Sequence, residues 1–327
     1  MRVLRLAVSR AGLPLKSQVP SIPAPMSRLN ADIALFFAAA VWGVAFVFQK
    51  SAMDHIGPLA FIAARGLVAA LALAPLAVRE HRQVAATAGM GFWVIAICGG
   101  CAFFIAAWLQ QAGLRTATVT NTGFLTALYV VITPFIAWGW SGKVPNPIVW
   151  PAVLLSALGT WLLGGGTLSA FSAGDQLVAL SAVFWAIHVV VTGRASPFGR
   201  PIAFTAVQFA VVAVLAVLGA ALLETTTLEG LAGAAIDIAY VGLLSSALTF
   251  TILTVALQHT PPSEAAVIVS METVFAALAA YLVLGERLAA IGWAGAGLIL
   301  LATLLLQIGT ALGLRWRWGG AVTPPER

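Results

Sequence analysis

The sequence predicts an all-α integral membrane protein of ten transmembrane helices, arranged as two inverted five-helix repeats. Three observations predict it. Of 327 residues, 61% are hydrophobic and only 28 are charged, 17 Lys/Arg and 11 Asp/Glu, whereas soluble domains carry charge on about a quarter of their positions. The apolar letters run for 19 or more positions at a time, and a bilayer-spanning helix needs about 20. A single offset of 143 residues maps the first half of the chain onto the second without gaps.

Read in order, the apolar runs bounded by charges, Pro and Gly are 32–50, 59–78, 89–109, 117–139, 148–166, 175–193, 202–223, 234–256, 263–284 and 288–311. Backbone amides in lipid must be satisfied within their own segment, so each run is expected to be helical despite its Gly and β-branched content. Transmembrane β-strands would alternate apolar and polar residues, and these runs do not. The connectors are short and leave no room for a soluble catalytic domain. Residues 1–29 read as a basic, Pro-rich, disordered cytoplasmic leader without a signal peptide's apolar centre, with Met26 as a candidate start. Residues 30–166 form the first repeat, 174–312 the second, and 313–327 a cytoplasmic tail whose Trp316 and Trp318, alternating with Arg315 and Arg317, read as an interfacial anchor.

Lys and Arg are retained on the cytoplasmic side of membranes. With the N-terminus inside, 13 of them fall on cytoplasmic segments, three (Lys50, Arg115 and Arg287) outside, and Arg65 within a span. A multi-pass cell-membrane protein with both termini in the cytoplasm is expected. The formal net charge of +6 comes from basic residues scattered beside spans, not from a basic face, so nucleic acid is not an expected partner. Cys98 and Cys101 form a C-x-x-C, but inside a helix they read as two small apolar residues.

The 143-residue offset pairs Asp32 with Asp175, Trp42 with Trp185, Phe61 with Phe204, Leu114 with Leu257, Gly142 with Gly285 and Trp150 with Trp293. Matched Trp, Asp and Phe are costly coincidences. Because the offset spans five helices, the second copy must lie upside down relative to the first. Inverted repeats place a substrate site near the bilayer midplane and supply two related conformations for alternating access.

The chain resembles the drug/metabolite transporter superfamily, in particular its EamA-type members. The residues that carry the resemblance are Trp42-Gly43 with Gln49-Lys50, "FIAARGLVAALALAP" through Arg65, and "LQQAGLRTATVTNTGFLTALYVVITPF" from Leu109 to Phe135. In the second copy they are "GDQLVALSAVFWAIHVVVTGRAS", Gln208, and "VFAALAAYLVLGERLAAIGWAGAGLILLATLL". The resemblance implies a permease that moves amino acids, metabolites or drugs, generally outward, across an inner membrane. The chain departs from the family pattern twice. Gly285-Glu286 is matched in the first copy by Gly142-Lys143, and the common Glu-Pro of helix 9 stands as Glu272-Thr273, while a proline occurs in helix 4 at Pro134.

Three polar groups lie far from any span end. Glu272 sits at the centre of helix 9, where a charge costs a few kcal/mol, so it is a functional candidate by default; its offset partner is Tyr129. Arg65, paired by the offset with Gln208, either snorkels outward as an anchor, binds a substrate carboxylate, or forms the counter-ion of Glu272. His188 is either a hydrogen-bonded core residue or a proton carrier. Trp42 and Trp185 are the aromatic pair expected to flank a cavity, alongside Trp108 and Phe124, with Asn121 and Thr126 near Tyr129 as hydrogen-bonding candidates. Gly292, Gly295 and Gly297 permit close helix packing, within the bundle or in a homodimer.

These features point to a secondary transporter for a small molecule. No G-x-x-x-x-G-K-[ST] motif occurs, so ATP does not drive it directly, and no cofactor or metal is expected. The alternatives are a membrane-embedded enzyme and an uncoupled facilitator. An enzyme needs a catalytic set at one membrane face, but His55, His81, His188 and His259 lie on four different segments.

Overall fold

The computed structural model describes residues 26–83, 89–163, 166, 172–287 and 289–312. Most of the expected leader and all of the tail, with Trp316 and Trp318, lie outside the described residues. Ten helices follow the ten apolar runs. They are α1 (Arg28–Ala52), α2 (Pro58–Gln83), α3 (Met90–Leu114), α4 (Val119–Ser141) and α5 (Val149–Leu163). The second copy gives α6 (Ala173–Arg194), α7 (Pro201–Leu223), α8 (Ala235–Ala256), α9 (Pro262–Leu284) and α10 (Ala290–Ala311). Eight are long and apolar enough to cross a membrane; α5 and the apolar part of α10, Ala290–Leu306, are shorter. Among the described residues there is no strand.

Local chemistry sets the helix ends. Ser27 caps α1 by accepting from the Asn30 amide, Thr118 caps α4 through the Asn121 amide, and Ser172 and Asp175 form a reciprocal capping box on α6. Prolines open α2, α7 and α9, where the missing N–H would have been unpaired anyway. The offset pair Gly142 and Gly285 ends α4 and α9 at φ of 67° and 70°, the left-handed conformation that glycine adopts without a Cβ penalty.

The two copies interleave. Helix α2 packs on α7, α4 on α9 and α5 on α10; α1 lies against α8 and α9, as α6 lies against α3 and α4. Each pairing within this set is matched by its counterpart under the offset, as a pseudo-twofold axis in the membrane plane requires. Inverted five-helix repeats are therefore the architecture. In α10, Gly295 packs within the bundle: a Cβ on Gly159 of α5 would lie 2.6 Å from its carbonyl oxygen. Gly297 has no such neighbour, and nothing commits its face to a second copy.

Glutamates tie helix ends across the copies. Glu224, just after α7, accepts from the amides of Leu59 and Ala60 at the start of α2, both at 2.9 Å. Glu80, near the end of α2, accepts from Ile202 and Ala203 at the start of α7, at 3.2 and 2.7 Å. The first-turn amides of a helix are unpaired and carry a partial positive charge, so a carboxylate there satisfies both needs. Glu286, after α9, caps α4 in the same way through Val119 and Thr120, with the Thr120 hydroxyl donating at 2.5 Å. Its counterpart Lys143 is exposed and makes no equivalent tie. Glu286→Ala is expected to cost about 1–2 kcal/mol, read as a lower thermal midpoint of the purified protein, while Lys143→Ala leaves the midpoint unchanged.

Candidate functional site

Helices α4 and α9 are interrupted at equivalent places. The regular bonding of α4 gives way at Ala127 and Leu128, and that of α9 at Ser270 and Met271, 143 residues further on. The interruption repeats bond for bond: Val130 N–H to Ala127 O (2.9 Å) matches Thr273 to Ser270 (3.0 Å), and Val131 to Leu128 matches Val274 to Met271, both 3.1 Å. These are tightened i to i+3 turns in the middle of a span. Broken helices at membrane depth occur where they are buried in protein or line a cavity. Tyr129 and Glu272 are the first residues after the two interruptions. Pro134 lies further along α4.

Between the copies lies a cavity that residues of both copies line, with mostly apolar walls and a few placed polar groups, as small-molecule sites have. Its polar lining is Glu272, Tyr129, Arg65, Gln49, Gln110, Thr126, His188 and Ser245, and its apolar walls include Trp42, Trp185, Phe46 and Phe250. Glu272 is 6% exposed and lines the cavity beside the Tyr129 side chain. Gly43 of α1 lets the backbone of α9 approach here: a Cβ on it would lie 2.7 Å from the Glu272 carbonyl oxygen and the Ala276 amide nitrogen.

Arg65 is 4% exposed and makes no ion pair with Glu272. One guanidinium nitrogen donates to the Gln49 side-chain oxygen at 3.4 Å, the group sits 5.5 Å above the Phe103 ring, and its Nε has no hydrogen-bond partner. Arg65 does not reach solvent as an interfacial anchor does. Phe103 is also the hub of an aromatic cluster, with ring centroids 5.0 Å from Trp185, 5.3 Å from His188 and 4.8 Å from Phe250.

The two matched tryptophans differ. The Trp42 indole donates to the Ser245 carbonyl at 2.8 Å, whereas the Trp185 indole nitrogen is buried with no partner. The acceptor that Trp42 uses lies in Tyr240–Leu248, a wide π-helical stretch of α8. The corresponding part of α3 is regular α-helix, so the offset partner of Ser245, Ala102, remains inside an unbroken ladder. His188 is fully buried; its Nε2 lies 3.4 Å from the Thr192 hydroxyl and its Nδ1 is unpaired.

Seven residues singled out from the sequence thus converge on the cavity: Glu272, Tyr129, Arg65, Trp42, Trp185, His188 and Thr126. Thr126 is held there by accepting from Gln110 at 2.7 Å. Gln208 is buried behind His188 and does not line the cavity. Asn121 sits at the first turn of α4, where its amide donates to Asp175 at 3.4 Å. Trp108 is 38% exposed and stacks on Phe104. Gln49, Gln110 and Phe250 also line the cavity and are not among the site candidates of the sequence. Gln49 and Gln110 sit near span ends in sequence, and only the fold turns them inward. Cys98 is exposed on the outside of the bundle, and among the described residues no cluster of His, Cys, Asp or Glu has metal-binding geometry.

A largely apolar cavity with a few placed polar groups at the junction of inverted repeats, flanked by interrupted helices, is the arrangement of a membrane transporter. The chain belongs to the EamA-like transporter family, whose model matches residues 29–165 and 172–308. It is 32% identical over 289 residues to an uncharacterized transporter of Archaeoglobus fulgidus, covering 86% of this chain and 87% of that one. It is 26% identical over 283 residues to the uncharacterized transporter YwfM of Bacillus subtilis, covering 84% and 93%. A solved crystal structure of 16% identity superposes with a TM-score of 0.72 over 89% of this chain and all of its own, which shows a shared fold.

Proposed function

We propose that the protein is a secondary transporter that exports small metabolites, amino acids or drugs across the cell membrane by alternating access, with movement coupled to protons or another ion through Glu272. The observation that carries this reading is the mid-span carboxylate itself, which lines a cavity between inverted repeats with no ion-pair partner. An ionisable group held there at a cost of a few kcal/mol needs a functional reason. Among the residues lining the cavity, the Arg65 Nε and the Trp185 indole are buried without partners and suit an anionic or carbonyl group on the substrate. Glu272, Tyr129 and Arg65 lie well inside their spans, away from the helix ends where a hydrolytic site would take water and soluble substrate, and this favours transport over an embedded enzyme.

The test is efflux from proteoliposomes loaded with a panel of labelled amino acids and common drugs, with and without an imposed pH gradient. Gradient-dependent movement of one class supports the reading. Movement that is independent of every ion gradient favours the facilitator.

Orientation belongs to the same proposal: both termini face the cytoplasm. In protein with Cys98 and Cys101 replaced, Thr226→Cys is expected to react with an impermeant thiol reagent added outside intact cells, and Lys143→Cys is not. The opposite pattern overturns the orientation.

A further inference from the structure

The pseudo-twofold axis makes every contact at one face comparable with its counterpart at the other, and the ties between α1 and α9 do not match those between α6 and α4. At the face where α6 starts, Asn121 of α4 donates to Asp175 of α6. The offset counterparts at the face where α1 starts are Glu264 of α9 and Asp32 of α1. A neutral amide donor is thus replaced by a second carboxylate. The two acids are held together by Arg28, which bonds Glu264 through Nη2 and Asp32 through Nε, the latter at 3.4 Å. Both carboxylate side chains are nearly buried, 6% and 2% exposed, whereas Arg28 is 35% exposed.

Two further asymmetries lie at the same ends. Lys50 ties the end of α1 to the carbonyl oxygens of Leu114, Arg115 and Ala117 at the end of α3, and its counterpart is Gly193. Glu286 caps α4, and its counterpart is Lys143. The face where α1 starts lacks the glutamate cap, has only the neutral Ser196 hydroxyl donating to the Leu257 carbonyl at 2.9 Å where the opposite face has Lys50 on Leu114, and adds one charge-assisted bridge, reinforced by the Thr260 hydroxyl donating to Asp32 at 2.7 Å. A cation in the first turn works against the helix dipole, so the position of Arg28 is not explained by the stability of α1.

We propose that Arg28, Glu264 and Asp32 form the releasable latch of the face where α1 starts. With Arg28 seated, α1 and α9 are closed over the cavity; with Arg28 withdrawn, two buried carboxylates face each other, and their repulsion drives the helices apart. Like charges at close range in a low-dielectric site repel strongly, and removing one member of a buried charge set leaves the rest uncompensated. The opposite face, closed by a neutral amide and fixed caps, has no such spring. This inference rests on the alternating-access reading, but its test needs neither substrate nor ion gradient, so its failure leaves the efflux result untouched.

The experiment measures thiol labelling rates in purified protein lacking Cys98 and Cys101, with a reporter one turn inside each face. The reporters are Ala266→Cys below the latch and Gln110→Cys below the opposite face; both positions line the cavity. Arg28→Ala is expected to raise labelling at Ala266→Cys about tenfold, less than the loss of a fully buried charge partner would give because Arg28 is 35% exposed, without raising it at Gln110→Cys. Adding Glu264→Asn, which copies the Asn121–Asp175 pair, is expected to return the rate to that of the parent. If Arg28→Ala does not yield folded protein, Asn121→Glu creates the bare acid pair at the opposite face and is expected to raise labelling at Gln110→Cys alone. Parental labelling in the single variant, a rise at both reporters, or no rescue by Glu264→Asn overturns the latch; in the mirror variant, an unchanged rate at Gln110→Cys does the same.

Discussion

Glu272→Gln is expected to insert and fold at near-parental abundance, to retain downhill exchange of substrate, and to lose accumulation against a gradient entirely. The amide keeps the size and hydrogen-bonding reach of the acid but cannot exchange a proton or balance a cationic group. The expectation of normal folding follows from the cavity geometry. Had Glu272 been the permanent counter-ion of Arg65, the substitution would have left a buried guanidinium unpaired, costing about 3–5 kcal/mol and lowering abundance before any transport defect could be seen. Arg65 instead leans on Gln49 and the face of Phe103, so neutralising Glu272 does not strand it. Counterflow and gradient-driven uptake in the same proteoliposomes separate the two activities. Intact gradient-driven transport in a well-expressed Glu272→Gln variant removes the carboxylate from the coupling step.

Arg65→Ala is expected to reduce transport about a hundredfold, as loss of a buried charge-assisted contact of about 3 kcal/mol implies. Arg65→Lys is expected to fare little better. The planar guanidinium lies over the Phe103 ring while one of its nitrogens is held by Gln49. A lysine ammonium reproduces neither the stacking nor a two-point fork toward a carboxylate. Initial rates normalised to protein in the membrane decide the matter. If both variants transport normally, Arg65 serves packing alone and the anion-binding end of the cavity must be sought elsewhere, beginning with the unpaired Trp185 indole.

The ten spans and the inverted repeat were legible because both are one-dimensional properties. A span announces itself as a long apolar run, and a duplication as a constant offset between rare residues such as Trp42 and Trp185. Glu272 and Arg65 stood out for the same reason, as charges far from any run's end. The interruptions of α4 and α9 were not legible. Neither Ala127-Leu128 nor Ser270-Met271 contains a helix breaker, and Pro134, the obvious candidate, lies inside the following helical stretch. Nearby hydroxyls sustain the altered backbone, with Thr133 donating to Tyr129 O and Thr273 to Ser270 O. The glutamate ties were equally hidden. Glu80, Glu224 and Glu286 read as ordinary charges at span ends, since their amide partners lie 122 to 167 residues away in sequence. Asn121 was placed with the cavity because it shares a helix with Tyr129, but it lies two turns nearer the membrane face.

The reciprocal glutamates of α2 and α7 also restrict how the bundle can move. Each helix is fastened to its antiparallel partner at both extremities, Glu80 at one and Glu224 at the other. Sliding one past the other by a single turn, about 5.4 Å, would tear both fastenings at once and break four part-buried hydrogen bonds. Rotation of the pair as one body leaves both intact. The two helices therefore behave as a bolted strut, and under the proposed alternating access the travel that opens either vestibule comes from tilting around that strut, not from a piston stroke along it.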